Sequence, residues 1–319
     1  MFSKLQKKIF YSVFFVSLAF ILLLSAVSYS LIIASVYDSQ RKMAISCAEN
    51  GSAGCTTYLN TVSGFVESTA GKSAISDATV GIVSPEVISL LDGLCNKSVK
   101  IDGAILYGTE GYVSYSAGVG VPPTFGELLA DKEIKAFFDS ENTHFVSIRK
   151  STYARVYNSS FYDDDSGIIS CISKVVSDSG ETTGLLVADI LPETLVGEKL
   201  SYSAFDMAGD GFIVKNGETL GVRKENFDVS KKARLTDKYN LFTAEFEDDT
   251  VVAMRFSLTN FRNQVIIIFF AFFGVDVVLT LVSYFFANRL SKSVETPLDD
   301  LLQKMKEQSA ENGNAKKTR

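Results

Sequence analysis

The chain has 319 residues, of which 46% are hydrophobic, and a formal net charge of −6. This apolar content excludes an intrinsically disordered protein, and the acidic balance excludes a strongly basic nucleic-acid binder. The chain has one histidine, which excludes a histidine-rich metal site, and it has no glycine-rich phosphate-binding motif. We therefore predict no metal, no cofactor and no nucleic-acid partner.

The first predicted element, after a short stub over residues 1–8, is a membrane-spanning helix over residues 9–37. These 29 residues carry no charge, and a bilayer core needs about 20 helical residues. The run is far longer than the roughly 7–15 apolar residues of a signal peptide, so we predict an uncleaved anchor. Residues 263–288 carry one charge, Asp276, and predict a second span.

Charge on the flanks predicts how the spans are oriented. Lys4, Lys7 and Lys8 precede the first span, and basic residues outnumber acidic ones after the second. Both termini should therefore be cytoplasmic in a two-span protein of the cell membrane. Residues 38–262 contain 21 basic and 31 acidic residues, and this acidic segment is predicted to fold outside the membrane.

All four cysteines of the chain fall in this external segment: Cys47, Cys55, Cys95 and Cys171. An even number on the oxidising side permits one or two disulfides, and buried free thiols are the alternative. Cys47 and Cys55 would lie about 12 Å apart on one continuous helix, too far for a disulfide. The pairing is left open.

The external segment alternates helix and strand signals. It opens with a helix over residues 38–49 that Gly51 and Gly54 interrupt and that resumes over 56–70, and Pro85 begins a second helix. Later helices are predicted over 134–138 and from Pro192. Period-2 patterns and turn residues predict strands over 101–107, 112–116, 145–157, 168–177 and 184–190. The fold class is therefore α+β, with antiparallel sheets and a long N-terminal helix.

A smaller unit is predicted to follow, next to the membrane. Strands over residues 211–214 and 219–222 flank Asn216-Gly217, a strong hairpin turn pair. A second hairpin joins residues 241–246 and 251–256. We place the membrane-distal unit at residues 38–197, the membrane-proximal unit at 198–262 and a cytoplasmic tail at 289–319.

Residues 173–190, with Leu195 after them, carry a resemblance to a known family. A strand, an Asp/Gly turn and a glycine-led strand ending in Asp189-Ile190 resemble the closing part of an extracellular Cache domain. The resemblance implies a double Cache, PAS-like sensor over about residues 38–260 that binds a small extracellular ligand. The family's Arg-x-Trp-Tyr signature is absent because the chain has no Trp, which argues against a standard α-amino-acid ligand.

The tail carries a second resemblance. Residues 287–305 are similar to the first helix of a HAMP signalling module, with Pro297 where such helices usually carry a proline, and residues 311–314 resemble the start of its connector. The residues Leu290, Val294, Leu298, Leu301 and Met305 step by four or three, which is typical of a coiled-coil seam. The second HAMP helix is absent, so we expect a truncated receptor or the input half of one.

Seven residues are considered as candidates for ligand binding. The Cache resemblance implies that Asp189 contacts a ligand amine, and the alternative is a carboxylate near the start of the next helix. Tyr153, Arg155 and Tyr157 alternate on one predicted strand and share a face, where Arg155 can clamp a carboxylate; a solvated sheet face is the alternative. Tyr107 and Tyr115 are weaker candidates for a pocket wall, and Lys174 is weaker still.

Other conspicuous residues carry less chemistry. Asp163, Asp164 and Asp165 lack the alternating ligands of a calcium loop and indicate a solvated turn. His144 is expected to be an ordinary side chain at the surface or partly buried. Asp276 is costly inside a bilayer if charged, so we predict that it faces a partner helix or is protonated, with Ser25, Ser28 and Ser30 as possible partners. Asp276 and Pro297 are the candidate signalling residues.

These patterns predict a transmembrane receptor input module without a catalytic domain or catalytic residues. It would form a homodimer and relay ligand binding to a cytoplasmic output, for which a histidine kinase is the first expectation and a diguanylate cyclase or chemoreceptor the alternatives. A membrane-anchored adhesion or structural protein without a ligand is the rival interpretation. An ectoenzyme is disfavoured because no nucleophile elbow or metal-ligand cluster occurs in the sequence.

Overall fold

The computed structural model describes residues 4–150, 167–200, 209–221, 239–247, 249–257 and 259–315. The chain separates into two compact units. Met1–Gln40 and Thr259–Arg319 form one, which we call the helical unit, and Arg41–Leu258 forms the other, which we call the sheet unit. The long helix α1 (Lys4–Ala70) begins in the helical unit and ends in the sheet unit.

The helical unit pairs the first part of α1 with helix α7 (Thr259–Ala315). Both contain stretches long and apolar enough to cross a membrane, with mean hydropathies of 2.4 and 2.8. Aromatic rings join them in antiparallel order, with ring centroids 5.4 Å apart for Phe10 and Tyr284 and 5.8 Å apart for Tyr37 and Phe261. The two spans predicted from the sequence are therefore two adjacent helices.

Helix α1 passes through Gly51 and Gly54 without the interruption that the sequence predicted there. Gly51 is buried, and a Cβ at this position would lie 2.7 Å from Cδ2 of Leu200. The glycine therefore allows close packing, and the surrounding contacts keep the helix intact. Core side chains follow at helical spacing along the second half of α1, namely Ala44, Ala48, Cys55, Leu59, Val62 and Val66.

The first sheet is antiparallel, with the strand order β2-β1-β5-β4-β3. Its strands are β1 (Gly103–Gly108), β2 (Val113–Tyr115), β3 (His144–Lys150), β4 (Gly167–Val176) and β5 (Thr182–Ile190). The predicted hairpin and the last two strands are confirmed. The strand predicted over residues 145–157 is described only up to Lys150, and its remainder lies outside the described residues.

Short helices surround this sheet: α2 (Ser73–Thr79), α3 (Pro85–Cys95), α4 (Phe125–Leu128), α5 (Lys132–Asp139) and α6 (Pro192–Lys199). The helices predicted near Pro85, residue 134 and Pro192 are confirmed, whereas α2 and α4 were not predicted. Alternate strand residues such as Ala104, Leu106 and Ala188 pack with α1, α2 and α3. The others, such as Ile105 and Val187, pack with α4 and α5, and we call this side the α5 face.

The second sheet is also antiparallel, with the order β7-β6-β9-β8. It contains β6 (Gly209–Lys215), β7 (Glu218–Leu220), β8 (Tyr239–Glu247) and β9 (Thr250–Ser257). Asn216 and Gly217 have φ angles of 55° and 82°, as a type I′ hairpin requires. Both predicted hairpins are confirmed, and the α+β fold class with them.

Candidate functional site

The α5 face of the first sheet carries a row of buried polar residues across three strands. Asp189 of β5 pairs with Ser170 of β4, and Ser170 pairs with Ser147 of β3. Directly paired residues of antiparallel strands point to the same face. All three side chains are fully buried, so an apolar sheet contains one polar strip at this end.

Asp189 is the centre of this polar row. The hydroxyl of Ser170 donates to Oδ1 of Asp189 at 2.5 Å, which partly compensates for taking the carboxylate out of water. The hydroxyl of Ser147 has no hydrogen-bond partner within the described part of the chain. A buried carboxylate with hydroxyl groups beside it can recognise a group that donates hydrogen bonds.

Asp102, which the sequence analysis did not single out, holds the start of α6. The backbone N–H of Leu191 donates to Oδ2 of Asp102 at 2.8 Å, and the Thr194 hydroxyl donates to Oδ1 at 2.9 Å. Burial raises the pKa of Asp102 above its ordinary value, and these two hydrogen bonds act in the opposite direction. Asp102 is thus a carboxylate at the start of α6, the kind of position that is the alternative to ligand binding for Asp189. The Asp102 N–H also donates to the Asp189 carbonyl at 2.9 Å.

The two tyrosines predicted to line the pocket differ in environment. Tyr107 is fully buried on β1, and its ring centroid lies 6.3 Å from that of Phe125. Tyr115 lies on the edge strand β2, where it pairs with Ile105 and is 40% exposed. By register both belong to the α5 face, and of the two only Tyr107 is enclosed.

The remaining candidates of this region fall into two groups. The first group lies outside the described residues and consists of Tyr153, Arg155, Tyr157 and the three aspartates at 163–165. Lys174 is buried, its ammonium donates to the carbonyl of Ser140, and it lies 5.2 Å from the centroid of the Phe137 ring. Lys174 therefore has a structural role in holding the end of α5. His144 is exposed, as the sequence indicated.

All four cysteines are free thiols in the structure, which is the second of the two alternatives. Burial raises the pKa of Cys55 and of Cys171 to about 12, and for Cys171 the Asp189 charge adds to the effect of burial. Burial also raises the pKa of Cys95. No cluster of three or more potential metal ligands occurs among the residues that the structure describes.

The two candidate signalling residues lie on α7. Asp276 is partly buried in the apolar stretch, and no hydrogen bond joins it to a described residue. The Ser30 hydroxyl, one of its predicted partners, donates to the Ala26 carbonyl of its own helix. Pro297 lies inside α7, which continues to Ala315. The connector start that the HAMP resemblance implies at residues 311–314 is therefore not a break in the helix.

No family model and no curated protein sequence match the chain. Several solved structures match the chain, and each match covers about two thirds or more of it. The ligand-binding domain of the Pseudomonas fluorescens chemoreceptor CtaA with L-isoleucine is 14% identical over 70% of this chain and 94% of that chain, with a TM-score of 0.44. The ligand-binding domain of the Pseudomonas aeruginosa PAO1 amino acid chemoreceptor PctB with L-Gln is 14% identical over 67% and 90%, with a TM-score of 0.46. The periplasmic domain of Vibrio cholerae LuxQ is 11% identical over 68% and 99%, with a TM-score of 0.43.

Proposed function

We propose that this chain is the input module of a transmembrane receptor, which binds a small ligand outside the membrane and transmits the event through its spans. One observation carries the proposal: α1 is a single helix from Lys4 to Ala70. Its first part is apolar enough to span a membrane, and its second part supplies the core on which the first sheet packs. A change in the conformation of that sheet would therefore act directly on α1, which continues into the membrane span.

A second connection between the sheet unit and a span lies at the C-terminal end of the sheet unit in sequence. Strand β9 ends at Ser257, and α7 begins at Thr259. Strand β9 is a central strand of the second sheet, between β6 and β8, so it cannot move independently of its neighbours. A ligand that biases the sheet unit between two arrangements would thus act on both spans.

The polar row around Asp189 is the proposed ligand site. Its carboxylate is fully buried on a central strand and accepts from the Ser170 hydroxyl of the next strand, and Ser147 lies one strand further along the same row. We infer that the ligand presents an ammonium or another N–H donor to this row, because a charge-assisted hydrogen bond favours such a group over neutral alternatives. The apolar side chains of the α5 face, including Tyr107 and Val187, would contact the rest of the ligand.

The tail supports a homodimer as the signalling form. Leu290, Val294, Leu301 and Met305 are between 37% and 64% exposed in the single chain. Their coiled-coil spacing indicates that a second copy covers them. We propose that a HAMP-like helix pair passes the signal to a cytoplasmic output, a histidine kinase or alternatively a chemoreceptor or diguanylate cyclase module.

The test is a thermal-shift screen of the purified full chain in detergent micelles, against small amines, amino acids and other metabolites. A ligand at 100 times its Kd should stabilise the folded state by about 2.7 kcal/mol. Asp189→Asn should abolish the shift, and the matched control Asp178→Asn, in an exposed turn, should retain it. Ser147→Ala provides a second site variant if Asp189→Asn does not fold.

Two outcomes would contradict the proposal. If no compound stabilises the chain, the adhesion or structural alternative is favoured. If a compound stabilises wild type, Asp189→Asn and Ser147→Ala equally, the ligand does not bind at the polar row.

A further inference from the structure

A cleft of about 400 Å³ lies along the outer edge of β3, away from the Asp189 side chain. Among the described strands β3 ends the first sheet, so one row of its backbone groups has no neighbouring strand. Helix α5, strand β3, Lys215 of β6 and Thr250 of β9 contribute to its walls. Parts of both sheets therefore surround the same cavity, whose volume falls in the lower part of the range of small-molecule sites.

Among the described residues that line the cleft, one is cationic, Lys215. The Lys215 ammonium donates to the Ile148 carbonyl at 2.6 Å, and this is its one hydrogen bond to the described residues. The Glu133 carboxylate is 3.8 Å away, beyond hydrogen-bond distance, and its side chain is 53% exposed. An ammonium has three N–H donors, so Lys215 can donate to an anionic oxygen in addition to the Ile148 carbonyl.

Of the eight other described residues that line the cleft, five are apolar and three are polar, namely Ser140, Asn142 and Thr250. Phe137 and Ile148 are each 5% exposed, and Phe145 and Val146 are partly buried. The rings of Phe137 and Phe145 stack with their centroids 5.3 Å apart. Because Val146 and Ile148 point to one face of the sheet and Phe145 to the other, the edge strand exposes the margins of both cores here. An apolar ligand body would cover these margins.

We propose that this cleft binds a small apolar carboxylate, whose carboxylate accepts from the Lys215 ammonium while its hydrocarbon part contacts Phe137, Phe145 and Ile148. The bound molecule would bridge α5 and β3 of the first sheet and β6 of the second. It would therefore stabilise one arrangement of the two sheets, independently of any ligand at the polar row. The Glu133 carboxylate competes for the same cation and turns toward solvent when the ligand binds.

The test is isothermal titration of the full chain, reconstituted in nanodiscs, with sodium butanoate, hexanoate and octanoate and with phenylacetate. Hexanoate should bind, and each added methylene group up to that length should tighten Kd about fourfold. Lys215→Met should weaken binding at least about tenfold, and Lys215→Arg should retain most of it because the charge and donors remain. Glu133→Gln should tighten binding a few-fold by removing the competing charge.

Matched controls separate this site from its surroundings. Lys135→Gln, an exposed lysine on the same helix that does not line the cleft, should leave Kd unchanged. Asp189→Asn should also leave it unchanged, so failure here and failure of the proposed receptor site can be distinguished. Hexan-1-ol and hexylamine report whether the carboxylate is required.

Each contrary result overturns the inference. If none of the carboxylates binds, the cleft is not a carboxylate site. If hexylamine binds more tightly than hexanoate, or if Glu133→Gln weakens the binding of hexanoate, Glu133 rather than Lys215 holds the ligand. If Lys215→Arg and Lys215→Met both retain wild-type affinity, the molecule binds elsewhere.

Discussion

Asp102 connects the polar row to the helix that follows it. Its two carboxylate oxygens accept hydrogen bonds from the Leu191 N–H and the Thr194 hydroxyl, and its own N–H donates to the carbonyl of Asp189. Removing the side chain leaves two partly buried donors without their acceptor. We expect Asp102→Ala to lower the free energy of unfolding by about 1–3 kcal/mol, measured by urea titration of the purified chain. Asp178→Asn in the exposed turn should change it by less than about 0.5 kcal/mol.

Asp102 should also give stability a distinct dependence on pH. Burial raises its folded pKa above the ordinary value of 3.8, so the folded chain binds this proton more tightly than the unfolded chain. The contribution of Asp102 is then most favourable below 3.8, decreases as pH rises through the folded pKa, and is constant above it. The difference in unfolding free energy between wild type and Asp102→Asn should follow this course. A difference that grows with rising pH would contradict it.

The cysteines should differ in reactivity according to burial. Because the thiolate is the reactive form and burial raises the pKa of Cys55 and Cys171 to about 12, both should resist a maleimide near neutral pH. Cys47, which is partly exposed, should react first. Mass spectrometry before and after denaturation should show the two buried thiols labelled only in the denatured chain. A disulfide between any two of the four would contradict the structure.

At the scale of elements, Leu200 is enclosed by glycines from two different segments. A Cβ at Gly211 of β6 would lie 2.3 Å from Cβ of Leu200, and one at Gly51 of α1 would lie 2.7 Å from its Cδ2. Leu200 follows the end of α6 and is fully buried. The Leu200 side chain is thus the point at which α6, α1 and the second sheet meet.

This arrangement predicts that two glycine-to-alanine substitutions change the free energy of unfolding in opposite directions. Gly211→Ala should lower the free energy of unfolding by about 1–3 kcal/mol, because the new methyl group overlaps a buried side chain near its backbone. Gly64→Ala, on the part of α1 where a Cβ meets no atom within 4 Å, should raise it by about 0.5–1 kcal/mol. Denaturant titration of both variants checks the difference, and a destabilised Gly64→Ala would contradict it.

A double variant tests whether Leu200 is the cause. Adding Leu200→Gly to Gly211→Ala removes the Cβ that the new methyl group overlaps, so the double variant should lose less stability than the sum of the two single variants. Simple additivity would show that the cost of Gly211→Ala arises elsewhere.

The elements that local pattern determines were predicted well. The hairpin at Asn216-Gly217 and the strand ending at Asp189 follow from turn chemistry and from continuous apolar runs. Helix α2 and helix α4 were not predicted because a helix of seven or four residues is too short to show a full amphipathic period. The break at Gly51 was predicted from glycine's intrinsic preference, which tertiary packing against Leu200 overrides.

The candidate site was predicted in part for a related reason. Asp189 could be singled out from the Cache resemblance of the segment that it ends, and Tyr107 from its place in a predicted hairpin strand. Ser147 and Ser170 could not, because their partnership with Asp189 depends on the order β5-β4-β3 and on register, which no single-strand pattern contains. Asp102 likewise has its partners 89 and 92 residues away in sequence.

At the scale of the whole molecule, the proposed receptor requires that the sheet unit and the two termini lie on opposite sides of the membrane. The acidic segment between the spans and the basic flanks predict an external sheet unit and cytoplasmic termini. Three exposed positions sample these compartments: Lys7 before the first span, Asn60 on α1 within the sheet unit, and Lys304 beyond the second span. Cysteines placed there, in a background that carries both Cys47→Ser and Cys95→Ser, report their own compartment because the two remaining native thiols, Cys55 and Cys171, are buried.

We expect a membrane-impermeant maleimide to label the Asn60→Cys variant in intact spheroplasts and to label the Lys7→Cys and Lys304→Cys variants only after permeabilisation. The background with Cys47→Ser and Cys95→Ser alone should remain unlabelled in both conditions, which controls for Cys55 and Cys171. Labelling of Lys7→Cys in intact cells with protection of Asn60→Cys would reverse the topology. Because α1 is one uninterrupted helix through both positions, opposite accessibility at residues 7 and 60 would require that this helix crosses the membrane between them.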